Sequence, residues 1–191
     1  MIPAIPPSLS IQKIQEKVTE LTSQYPILQE FPIDSEEFAE MDLGIEIIPV
    51  LGLRTRVDAD AFITRDFASI LIDNHYFNNP RMRTRNNFSI AHELGHLFLH
   101  RYYFESQCPS TTEDAWIEFM TSMSDVTHNR LEWQAHTFAS LMLMPRVEYL
   151  KEIRKPNASM VSLGRAFGVS PKAAARRMNI EDVRFDLDIE Y

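Results

Sequence analysis

The sequence predicts an α+β domain, and three observations carry that prediction. Runs of β-type residues are confined to an early stretch, about residues 45–73. Apolar residues at helical spacing lie before and after it. The chain also has 191 residues, 45% of them hydrophobic, enough to bury a core without disulfides. Strands grouped early with helices around them are the α+β pattern.

Each element follows in order. The proline-rich start, residues 1–9, reads as a loose arm, because its prolines cannot be helical. Ser10 can cap a helix through about Gln24, with Ile11, Ile14, Val18 and Leu21 as its apolar stripe and Pro26 as its stop. "IDSEEFAEMDLG" reads as a second, short helix, capped by Asp34 or Ser35 and closed by Gly44. "IEIIPV" is a strand whose Pro49 fits an edge. Residues 60–73 read as a hairpin turning near Arg65–Asp66, although no glycine marks the turn. Residues 84–100 and 130–144 are the strongest helical segments, with a weaker helix at about 112–123 starting near Thr111 or Thr112. A last pair of short helices falls within 158–179. No role is assigned to the stretch 104–130.

Composition excludes several function classes. The net charge of −8 disfavours a protein that coats nucleic acid through overall charge. No apolar run is long enough to span a membrane. The single cysteine, Cys108, forms no internal pair and fits a reducing compartment. The first residues lack a signal-peptide pattern, so a cytoplasmic protein is expected.

The chemistry concentrates in "HELGH", His92 to His96. Histidines four apart on a helix differ by about 40° and can converge on one ion, while Glu93, about 100° away, can reach a water without being a ligand. The competing reading is a pair of ordinary helix-surface or core histidines, which the intervening glutamate and the apolar neighbours Ile90, Leu94, Leu97 and Leu99 disfavour. His100 lies about 12 Å along the axis from His92, too far to share an ion with bonds of about 2 Å. It reads as a structural or supporting residue. A third ligand must come from another helix. Glu132 and His136 share a face, so either could bind the ion while the other supports it. As outer partner, His136 would hydrogen-bond a ligand histidine.

"NNFSIAHELGHLFLH", "EWQAHTFASLMLMP" and "LGRAFGVSPKAAARRM" together resemble successive blocks of the ImmA/IrrE family of metallo-endopeptidases. The resemblance covers roughly residues 10–180. It implies a minimal zincin-like domain at 10–150, followed by a helix-turn-helix-like region at 151–191. It implies His92, His96 and Glu132 as metal ligands and Glu93 as general base. Zinc is the expected ion, with Mn or Fe also compatible with this donor set. The family's usual asparagine in the second block is His136 here. The implied reaction is peptide hydrolysis: water activated at the ion, its proton taken by Glu93 and passed to the leaving amine. His75, Tyr76, Tyr102 and Tyr103 are candidate oxyanion donors, each with a structural role as the competing reading. The implied substrate is a protein, a helix-turn-helix repressor in a stress, phage or mobile-element response, held extended along the hairpin edge.

In the last block, Leu163, Phe167, Val169, Ala174 and Met178 form a core, Gly168 a turn, and Ser170–Pro171 a helix start. A DNA-binding reading would present Arg176 and Arg177 to a groove. A packed helix pair is favoured, because the chain is acidic and this helix has few base-reading groups. Two other functions remain: a non-proteolytic regulator of the same fold, and a DNA-binding transcription factor.

Overall fold

A computed structural model describes residues 6–108 and 112–181. Residues 1–5 of the expected arm, Thr111 and residues 182–191 lie outside them. Among the described residues the chain is mostly helical around one three-stranded sheet, the α+β class expected.

Helix α1 (Ile11–Gln24) starts where Ser10 accepts a hydrogen bond from the Lys13 N–H, and buries Ile14, Val18 and Leu21. Ile11, in its first turn, stays 39% exposed. Asp34 caps α2 (Ser35–Glu37), which widens into a π turn through Asp42. Gly44 then takes a positive φ of 67°, a conformation that favours a residue without Cβ.

The sheet comprises β1 (Glu46–Val50), β2 (Ala61–Ile63) and β3 (Ser69–Asp73), in the order β1-β3-β2. Strand β1 runs parallel to β3, and β2 antiparallel. Pro49 therefore sits on an edge strand, as expected. The hairpin turn needs no glycine, because Asp66 accepts from the Ala68 N–H and the Thr64 hydroxyl. Phe67 takes a φ of 60° and is held against the Trp116 ring at 6.3 Å. Short helices α3 (Leu53–Val57) and α4 (Asn74–Phe77) flank β2 and β3.

Helix α5 (Arg83–Gln107) runs two turns beyond the expected 84–100, ending at Cys108. Thr112 caps α6 (Glu113–Thr121) and Ser124 caps α7 (Asp125–Leu143), which begins earlier than expected. Helix α8 (Arg146–Ile153), not anticipated from the sequence, runs across positions 150 and 151.

Helices α5 and α7 form the central pair. Gly95 makes their approach close: a Cβ there would lie 3.0 Å from both the Cα and the carbonyl oxygen of Ala135. Helices α9 (Met160–Phe167) and α10 (Pro171–Glu181) turn at Gly168, whose φ is 62°. This pair packs into the core. Arg177 is fully buried, donates from Nε to the Met144 carbonyl at 2.9 Å, and lies over the Tyr149 ring at 5.3 Å. Arg177 is therefore withdrawn from any groove-reading surface, while its neighbour Arg176 is exposed.

Candidate metal centre

Helix α5 places His92, Glu93 and His96 within little more than one turn, with Ile90, Ala91 and Leu94 buried around them. Leu97 and Leu99 are only half-buried. Helix α7 supplies Glu132. The closeness at Gly95 and Ala135 carries Glu132, one turn earlier on α7, up to the two histidines.

The donor atoms form a compact triangle. His92 Nε2 and His96 Nε2 are 3.1 Å apart. Glu132 Oε2 is 3.2 Å from His92 Nε2, and Oε1 is 3.3 Å from His96 Nε2. Two ligands about 2.0–2.1 Å from a tetrahedral zinc are separated by about 3.3 Å. Each contact is close to that separation, although the two to Glu132 use different carboxylate oxygens, and two imidazoles with a carboxylate suit zinc, with room for other divalent ions. Among the described residues these three are the group of histidine, cysteine and acidic side chains whose atoms converge, all within 4.8 Å.

Electrostatics fit the geometry. Burial opposes charge on Glu132, but hydrogen bonds from His92 and His96 outweigh it and hold the carboxyl well below its usual range. Burial pulls the His92 imidazole down, yet the Glu132 hydrogen bond and the charges of Glu93 and Glu132 leave it raised. Glu93 is only 7% exposed, and burial pushes its carboxyl above the ordinary value, against the histidines' pull. The Ile63 N–H of β2 donates to Glu93 Oε2 at 3.0 Å, fixing how the carboxylate faces the cleft.

His100 is fully buried, and burial first, then the His96 charge, lowers its pKa to about 3. It supports rather than joins the triangle: its Nδ1 is 3.1 Å from His96 Nδ1, and its Nε2 is 2.8 Å from Gln134 Oε1. His136 departs from expectation. Its ring meets the His92 ring edge-on, with centroids 4.6 Å apart, and His92 Nδ1 is buried with no hydrogen-bond partner. The anticipated bond from His136 to a ligand histidine is not formed. His136, one turn beyond Glu132, thus meets His92 through a ring contact rather than a hydrogen bond.

A cleft of roughly 490 Å³ opens over the triangle, lined by Ala61 and Phe62 of β2, Phe88, Met120, Met123 and His128 among others. None of His75, Tyr76, Tyr102 or Tyr103 lines it. Tyr76 instead accepts a hydrogen bond from Arg54, and Tyr102 is 87% exposed. His128 was missed in the sequence. Its Nε2 lies 3.9 Å from Glu132 Oε1, and its place four residues before Glu132 on one helix was the available signal. Trp116 was missed too. Its Nε1–H donates to the Ile63 carbonyl at 2.9 Å, docking α6 beside the strand that holds Glu93.

Residues 76–179, more than half of the chain, match the model of the Peptidase_M78 family, described as an IrrE N-terminal-like domain. The match spans the whole donor triangle. No curated protein matches the chain. No helix among the described residues is long and apolar enough to cross a membrane.

Proposed function

The chain belongs to the Peptidase_M78 family, a family of metallopeptidases, and from that premise we propose that it is a zinc-dependent endopeptidase. The observation that carries this reading is the donor triangle of His92, His96 and Glu132 with Glu93 beside it. When bound, the ion supplies Lewis acidity, lowering the pKa of water toward about 7 and polarising a carbonyl. Glu93, held by Ile63, takes the proton of the attacking water and returns it to the leaving amine. Glu132 and the two histidines orient the centre.

The substrate of this proposal is a protein, held extended along β2, which is the sheet edge facing α5. The family resemblance points to a helix-turn-helix repressor, cleaved in the cytoplasm during a stress, phage or mobile-element response. The test incubates the zinc-loaded chain with candidate repressors beside Glu93→Gln. Wild type should cleave, and the variant should keep zinc while losing about 10²- to 10⁴-fold in rate. Equal cleavage by both would remove Glu93 as the base.

A further inference from the structure

A chain of hydrogen bonds runs from the start of the described chain to the metal centre. Gln134 Nε2 donates to the Pro7 carbonyl at 2.8 Å. Gln134 Oε1 lies 2.8 Å from His100 Nε2, and His100 Nδ1 lies 3.1 Å from His96 Nδ1. Gln134, His100 and His96 are 1%, 0% and 2% exposed. The arm has a second tie to the same helix, from Arg130 Nη1 to the Pro6 carbonyl at 3.3 Å. The looseness expected of residues 1–9 therefore does not extend to Pro6 and Pro7.

The direction of every bond in this chain follows from its first member. A prolyl carbonyl can only accept, so the Gln134 amide must turn its NH₂ toward Pro7 and its oxygen toward His100. That oxygen can only accept, so His100 carries its proton on Nε2. The neutral ring then presents a lone pair at Nδ1, and His96 must donate from its own Nδ1. Nε2, the atom His96 turns toward Glu132 in the donor triangle, is then the nitrogen left to bind an ion once the ion takes the place of its proton. No such chain reaches His92, whose Nδ1 has no partner.

We propose that Gln134 and His100, anchored on the Pro7 carbonyl, are positioning residues that fix the tautomer and ring orientation of His96 for metal binding. This rests on the reading of the triangle as a metal centre. The arm thereby becomes a part of the site although it lies far from the reacting atoms. Outer partners of this kind raise ligand basicity and hold the ring against rotation.

Two measurements on the full chain test it. In the zinc-loaded protein, long-range proton–nitrogen NMR of the imidazoles should show His96 protonated on Nδ1 and His100 on Nε2. His100 protonated on Nδ1, or His96 bound through Nδ1, would overturn the inference while leaving the metal centre standing. Failure to take up zinc at all would overturn both. Zinc affinity, measured by competition with a chromogenic chelator, should fall about 10- to 100-fold in His100→Phe and in Gln134→Leu. A merely packing role would lower the melting temperature of the metal-free variants and leave their zinc affinity unchanged, which would also overturn it.

Discussion

Gly95→Ala tests how the site is assembled. The new methyl would sit 3.0 Å from the Cα and carbonyl oxygen of Ala135, and 3.3 Å from its Cβ. Ordinary carbon contacts lie at about 3.5–4.0 Å, so α5 and α7 must separate by about 0.5–1 Å. The obstructing atoms are backbone, and no flexible side chain can step aside. Glu132 is one turn from Ala135 on the same helix and moves with it. Metal–ligand distances tolerate only about 0.2 Å, so the shift exceeds the tolerance at least twofold. Overpacking costs about 1–3 kcal/mol, partly offset by about 1 kcal/mol from alanine's better helix propensity. The metal-free fold should therefore lose no more than about 2 kcal/mol, a fall of at most about 8 °C in Tm. Zinc affinity should fall by about tenfold or more, equivalent to about 1.4 kcal/mol. Chelator competition and thermal melts measure the two separately. Wild-type zinc affinity with an unchanged Tm would refute the argument that close helix approach delivers Glu132.

Four further outcomes are expected. Trp116→Phe keeps an aromatic ring but removes the Nε1–H and part of the buried indole; the unpaired Ile63 carbonyl alone costs about 1–3 kcal/mol, and hydrogen exchange across residues 113–121 should speed up. Arg177→Ala removes the buried stem, the bond to Met144 and the contact with Tyr149, so a loss of about 2–4 kcal/mol is expected in denaturant unfolding. Wild type should show no salt-dependent binding to duplex DNA, and such binding would contradict the packed-pair reading. The fourth outcome concerns pH. His100 titrates near 3 in the fold and near 6.5 when unfolded, so over that window the unfolded chain holds one more proton. Stability of the metal-free protein therefore falls as pH drops through it, by about 1.4 kcal/mol per unit from this group. His100→Phe should flatten the slope of unfolding free energy against pH by that amount between about pH 6 and 4. An unchanged slope would mean that His100 is charged in the fold.

The first half of the site was legible because it lies within one helix. His92, Glu93 and His96 are related by helical spacing alone. Glu132 was narrowed to one of two residues by spacing and then chosen by resemblance, since only helix packing decides which of Glu132 and His136 meets the histidines. Gln134 carried no signal, because its partners come from α5 and from the arm, and a proline carbonyl announces nothing in sequence. Among the elements, the extension of α5 was missed because Tyr102, Tyr103 and Phe104 are middling helix formers, yet Phe104 is buried against Trp116 at 5.1 Å. The start of α7 could have been read from Ser124 followed by Asp125, a cap with an acidic first turn. Helix α8 is too short for its period to stand out.

The Ile63 peptide group has a consequence for what can enter the cleft. In the β2–β3 hairpin the Thr64 N–H bonds the Ser69 carbonyl and the Asp73 N–H bonds the Asp60 carbonyl, so Ala61 and Ile63 turn their N–H and carbonyl groups outward. Both groups of Ile63 are already committed, one to Glu93 and one to Trp116. Ala61 turns the same way and lines the cleft. A peptide lying on this edge thus meets a hydrogen-bonding rail that ends at Ile63 in one direction. Register would be dictated by a short run of main chain, and side chains would have to supply the remaining discrimination between one protein substrate and another.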